Sequence, residues 1–156
     1  MESITFEQLT EETLYIALEI VNSNSVYNLL VHNKEKKTIE EVKDEFVIKE
    51  TKTIFVKLDD TYIGLIGFME NHNDDACLWL ELLMIHRDYQ GYGFGSLAYS
   101  LFEQQWANNV VRTGVLEENK SAKAFLEKKG FGNFQTVVNE NGKEVCCYEK
   151  RLKEHF

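Results

Sequence analysis

A chain of 156 residues, 44% hydrophobic and 28% charged, is long enough for one core and too apolar to be disordered. Its formal net charge of −9 disfavours a general nucleic-acid binder, which would cluster Lys and Arg against phosphate. An acidic surface draws cations such as polyamines, aminoglycosides or basic peptides, or simply keeps the protein in solution. Cys77, Cys146 and Cys147 show no CxxC or Cys/His ligand spacing, and no apolar run is long enough to span a bilayer. Those features, with no charged-then-apolar leader, predict a reduced, soluble, cytoplasmic protein with inert thiols, no metal site and no membrane partner.

There is no proline and no linker-like tract, so residues 1–156 are expected to form a single domain. Residues 3–9 read as a strand. Thr10 stands before a helix carrying Leu14, Ile16, Ala17, Leu18, Ile20 and Val21, which ends near Asn22. Residues 22–37 are polar and ambiguous. Thr38 and Glu41 have capping-box spacing, in which hydroxyl and carboxylate satisfy each other's free backbone amides, and open a helix with Ile39, Val42, Phe46 and Val47. The period then changes to strand at residues 53–58, with a turn at Asp59-Asp60-Thr61 and a return at 62–69. After a polar turn at 71–75, residues 76–85 are apolar enough for a central strand. A helix over 95–106, a strand over 110–116 and a helix over 119–129 ended by Gly130 follow. Strands at 134–138 and 145–150 flank Asn141-Gly142, a hairpin signal. The pattern is a mixed α/β fold with helices on both faces of a sheet.

The most informative segment is Arg87-Asp88-Tyr89-Gln90-Gly91-Tyr92-Gly93-Phe94-Gly95-Ser96, between an apolar strand and a helix. Glycines let the backbone turn tightly against a bulky anion. The first amides of a helix have no intrahelical partner, and the positive end of its dipole lies behind them. Together they suit a diphosphate. Other glycine loops fit less well. No Gly-Lys-Ser/Thr triplet of a P-loop is present. A dinucleotide GxGxxG would need glycine at position 96, which is Ser, although Glu117 and Glu118 stand near the place of its acidic partner.

Gln90-Gly91-Tyr92-Gly93-Phe94-Gly95 resembles the Gln/Arg-x-x-Gly-x-Gly/Ala signature of the GNAT superfamily of acetyl-CoA-dependent N-acetyltransferases. The preceding Glu81-Leu82-Leu83-Met84-Ile85-His86 is similar to that family's fourth strand. Asn119, Ala122, Phe125-Leu126, Gly130 and Phe131 resemble its second motif. The resemblance runs from about position 50 to the C-terminus, with only helical character matching before it. It implies a mixed, mostly antiparallel sheet of about six to seven strands with about four helices, and a splayed strand pair holding acetyl-CoA.

The resemblance also implies roles. Backbone groups of the Leu83-Met84-Ile85 stretch would hydrogen-bond the pantetheine arm. Gln90, Gly91, Tyr92, Gly93, Phe94, Gly95 and Ser96 would hold the diphosphate. Asn119 would reach the pantetheine or cap its helix, Asn being a favoured cap. Glu81, the one carboxylate inside an apolar strand, is the candidate base for the amine, with Glu70, Asp74 and Asp75 as weaker candidates. His86 and Arg87 read first as surface groups beside the loop. The family's usual acid, a Tyr seven residues after the motif Asn, is replaced by Leu126. Then water or another hydroxyl such as Tyr148 protonates the thiolate, the thiolate leaves unaided, or the protein binds acetyl-CoA without catalysis. No cysteine is placed as an acyl carrier, so direct attack in a ternary complex is expected. The expected partner is a small-molecule or peptide amine. Dimers are common in the family. The alternative from another class is a catalytically silent acyl-CoA-binding regulatory module.

Overall fold

The computed structural model of the protein describes residues 3–70 and 77–152. The turn read at 71–75, with Asp74 and Asp75, lies outside the described residues. Two compact units divide the chain, one of Met1–Phe68 with Leu82–Leu101 and one of Met69–Glu81 with Phe102–Phe156.

In the first unit, β1 (Ile4–Gln8) pairs antiparallel with β2 (Lys52–Leu58), which pairs antiparallel with β3 (Thr61–Met69). The expected turn joins β2 to β3. Asp59 takes a left-handed φ of 53° there, and its carboxylate accepts from the Ser3 amide at 3.0 Å. Three helices lie between β1 and β2: α1 (Leu14–Asn22), α2 (Ser25–His32) and α3 (Ile39–Lys43). α2 falls in the segment that the sequence left ambiguous, and it brings the α-helices among the described residues to five against the expected four or so. The Thr38–Glu41 capping box forms, with Thr38 N donating to Glu41 Oε1 at 3.0 Å and Glu41 N to Thr38 Oγ1 at 3.2 Å. The core of this unit is Leu9, Leu14, Ala17, Ile20, Val21, Val42, Phe46, Phe55, Leu65 and Met84, all buried.

Asparagines close the helical segment from within. Asn22 exchanges two hydrogen bonds with the Lys37 backbone, at 3.0 and 2.8 Å. Asn28, fully buried, donates to the carbonyls of Val21 and Glu35. These bonds satisfy backbone groups that a short helical hairpin cannot pair with itself. The Lys37 ammonium, itself buried, pairs with Glu45. Burial, and then the Glu45 carboxylate, push the Tyr27 phenol up to about 12.

In the second unit the beginning of β4 (Cys77–Ile85) pairs parallel with β5 (Val110–Leu116). β5 pairs antiparallel with β7 (Glu144–Arg151), and β7 with β6 (Gly132–Val138). Hydrogen-bonded neighbours follow the order β1-β2-β3-β4-β5-β7-β6, and β4 belongs to both units. α4 (Phe94–Trp106) joins β4 to β5, and α5 (Lys120–Lys128) joins β5 to β6. α5 ends as its glycine predicts. Gly130 has φ 96°, its amide reaches Glu127 O at 3.1 Å, and Phe131 N reaches Leu126 O at 2.9 Å, the two bonds of a Schellman cap. β6 differs from the other strands: all seven of its residues are exposed, Phe134, Val137 and Val138 among them. Arg112 stacks over the Phe134 ring at 5.5 Å and pairs with Glu149 at 2.8 Å.

β4 passes close to Gly64 of β3. A Cβ there would lie 2.6 Å from Met84 O and 2.8 Å from Ile85 Cδ1. A backbone oxygen in a strand cannot yield without moving the strand. Gly64→Ala is therefore expected to lower the unfolding free energy by about 2 kcal/mol, the usual scale of overpacking. Urea denaturation measures it, and an unchanged midpoint would contradict this contact.

Candidate active site

The glycine loop lies wholly in the first unit. β4 delivers the chain to it, and a short helical turn at Arg87–Tyr89 redirects it. His86 caps that turn, its Nδ1 accepting from Asp88 N at 3.1 Å, so this histidine serves the backbone of the loop. Arg87 is exposed, and its amide donates to Ser23 Oγ at 3.1 Å. Gly91 and Gly93 then adopt φ of 86° and 84°, a left-handed region that residues with a Cβ avoid. α4 begins at Phe94.

The consequence for hydrogen bonding is large. Gln90 N donates to Arg87 O, and Leu97 N donates to Gly93 O. Between them, the six backbone N–H groups of residues 91–96 find no acceptor among the described residues. A Cβ built on Gly91 or Gly93 would meet nothing within 4 Å, so there is open space beside both glycines. At Gly95 a Cβ would touch Ile85 Cγ1 at 3.5 Å, which is ordinary packing. Six consecutive donors without an acceptor among the described residues thus stand at the positive end of a 13-residue helix, an arrangement suited to a bulky anion.

Around the loop, Tyr92 is exposed, with its ring 6.1 Å from that of Phe94, and Tyr89 lies 6.5 Å from Phe94. Gln90 does not point its amide into the open space. Its Nε2 donates to Asn24 Oδ1 at 2.7 Å and to Ile85 O at 2.8 Å. Ile85 O also accepts from Asn24 Nδ2 at 3.1 Å. Asn24 and Ser23 have no signal in the sequence, where they are two polar residues in an ambiguous stretch. Met84 and Ile85 are buried and Leu83 is half-buried. The ladder from β4 to β5 covers Cys77 to Leu80 and stops, while β4 itself continues to Ile85.

The second unit carries the remaining candidates. Glu81 is exposed on β4. Glu70, at the end of β3, is exposed. Asn119 caps α5, its Oδ1 accepting from Ala122 N and Ser121 Oγ, both at 3.2 Å. Leu126 is buried on α5. Glu117 accepts from Lys123 Nζ at 2.9 Å and from Cys146 Sγ. These two bonds, Cys146 first, hold the Glu117 carboxyl below its usual range, while Glu117 and then burial push the Cys146 thiol up. Cys146 therefore stays a thiol at neutral pH and is a poor nucleophile. Burial, and then the Glu127 carboxylate, push the Tyr148 phenol up. Among the described residues no cluster could hold a metal ion, and no helix is long and apolar enough to cross a membrane.

The crystal structure of an acetyltransferase from Thermus thermophilus has the same fold, with a TM-score of 0.80 at 20% identity over 96% of this chain and 97% of that one. Spermidine N-acetyltransferase from Vibrio cholerae, solved with CoA and spermine, gives 0.69 at 18% identity over 95% of each chain. The ribosomal-protein-S18-alanine N-acetyltransferase of Escherichia coli gives 0.70 at 13% identity, over 100% of this chain and 97% of that one. No curated protein matches the sequence. The acetyltransferase (GNAT) family profile matches residues 19–131, well over half the sequence and inclusive of the loop, and by that match the chain belongs to the GNAT family.

Proposed function

We propose that the protein transfers the acetyl group of acetyl-CoA to a primary amine, by direct attack in a ternary complex. The observation that carries this reading is the row of unpaired amides at residues 91–96. Those donors and the open space beside Gly91 and Gly93 fit a diphosphate. Acetyl-CoA would supply an activated thioester. The residues of this chain do the rest. The amides of 91–96 hold the diphosphate, and backbone groups of Leu83, Met84 and Ile85 line the pantetheine arm. Since Ile85 O already accepts from Asn24 and Gln90, the contact assigned to Ile85 falls to its N–H. Asn119 commits its carbonyl oxygen to the helix cap and keeps its amide hydrogens for the arm.

An alkylamine, with a free pKa near ~10.4, must lose a proton before it attacks. Glu81 is the proposed base. It stands on β4, four residues before Ile85, exposed to an approaching acceptor and without a side-chain hydrogen bond among the described residues. Leu126 has no proton to give. A thiol with a pKa near ~8.5 is a fair leaving group without an acid. Cys146, held as a thiol, does not compete as an acyl carrier. The acidic surface favours a cationic acceptor, a polyamine before a peptide amine. The spermidine enzyme of the same fold is consistent with that choice.

Gly93→Glu puts a carboxylate among the free amides and a Cβ on a left-handed backbone. Calorimetry is expected to show no acetyl-CoA binding by this variant, and unchanged affinity would refute the cradle. Glu81→Gln is expected to lower kcat about a hundredfold at neutral pH, within the usual range for a general base, and to alter the pH profile. An unaltered profile removes Glu81 as base. Leu126 also suits a silent acyl-CoA-binding module. Thiol release from bound acetyl-CoA across a panel of amines separates the two: release with a cationic amine supports the transferase, and binding without release by any amine supports the module.

A further inference from the structure

Asn24 stands at the position that normally caps a helix, immediately before α2 (Ser25–His32). Asn is among the best residues for that task. Here its side chain makes no capping bond. It crosses instead to residues more than sixty positions away: Nδ2 donates to Ile85 O at 3.1 Å, and Oδ1 accepts from Gln90 Nε2 at 2.7 Å. Gln90 Nε2 closes the ring on the same Ile85 carbonyl at 2.8 Å. The other hydrogen of Asn24 Nδ2 goes to Ile20 O at 3.1 Å, which anchors the ring to the last turn of α1. The neighbouring Ser23 adds a parallel tie, its Oγ donating to Ile20 O at 2.7 Å and accepting from Arg87 N at 3.1 Å.

The ring reaches the loop at Gln90. Gln90 is the residue before Gly91, and its side chain is fixed at both amide hydrogens, so it cannot swing toward an anion without breaking the ring. Glycines at 91 and 93 make the loop easy to deform, and what stops deformation must come from outside it. The α1–α2 junction supplies that restraint.

We propose that Asn24 is a positioning residue: through Gln90 and Ile85 it holds the amides of residues 91–96 in the geometry that receives a diphosphate. This rests on the reading of the loop as a coenzyme A site. The ring acts before any ligand arrives, so its loss appears as weaker binding of coenzyme A.

Calorimetry with coenzyme A on the full chain tests it. Asn24→Ala and Gln90→Ala are each expected to weaken affinity about tenfold, equivalent to about 1.4 kcal/mol. Because both break one ring, the double variant is expected to be no more than about tenfold weaker than wild type, a non-additivity that a general structural defect would not produce. Wild-type affinity in a folded Asn24→Ala variant, or a multiplied loss of about a hundredfold in the double variant, overturns the proposal. Should Asn24→Ala fail to fold, Gln90→Ala decides alone, because its side chain sits on an exposed loop, and unchanged affinity there overturns the proposal too. Gly93→Glu keeps the two levels apart: if it binds coenzyme A like wild type, the loop is not the site and both readings fall, whereas loss in Gly93→Glu with no loss in Gln90→Ala removes only the role of Asn24.

Discussion

A backbone N–H is an obligatory donor, and a folded chain rarely leaves several in succession without a partner. This protein does so at residues 91–96. Helix geometry accounts for three of the six, because Phe94, Gly95 and Ser96 open α4 and have no carbonyl one turn back. Glycine accounts for the others: left-handed φ at Gly91 and Gly93 turns their peptide groups away from the neighbouring carbonyls. Water satisfies such groups when nothing else does. A diphosphate satisfies several at once, with the helix dipole behind them. The proposed site is thus made of main chain, and it asks for no lysine cluster in a chain of net charge −9.

The order of elements was legible because each signal is local. The capping box at Thr38, the glycine stop at Gly130 and the hairpin around Asn141-Gly142 depend on residues a few positions apart, and all three form. The loop was legible for the same reason. α2 was not, because its apolar residues, Val26, Leu29, Leu30 and Val31, are interrupted by Asn28, which the sequence presents as a turn former. In the fold Asn28 is buried and bonded to Val21 and Glu35. A side chain that pairs with distant backbone leaves no periodic trace.

The same limit applies to the site. Gln90 matched a motif, but its contacts with Asn24 and the Ile85 carbonyl span the chain and could not be read from spacing. Asn119 was open between cap and ligand, and its oxygen is committed to the cap. Leu126 was conspicuous in sequence as a departure from a motif, and in structure it is an ordinary buried leucine. The base proposed at Glu81 depends on the acceptor and has no side-chain hydrogen bond among the described residues, so it leaves the least mark on either sequence or fold.

β6 follows a different logic. None of its seven residues is buried, yet it lies along β7, whose Cys146 and Tyr148 are. Its contribution is a row of peptide groups that spares β7 from being the rim of the sheet. Selection at such a place acts on the main chain. Most side chains there are free to drift at a cost within about half a kcal/mol, Phe134 excepted because Arg112 rests on its ring, while a single proline facing β7 would unzip the fringe.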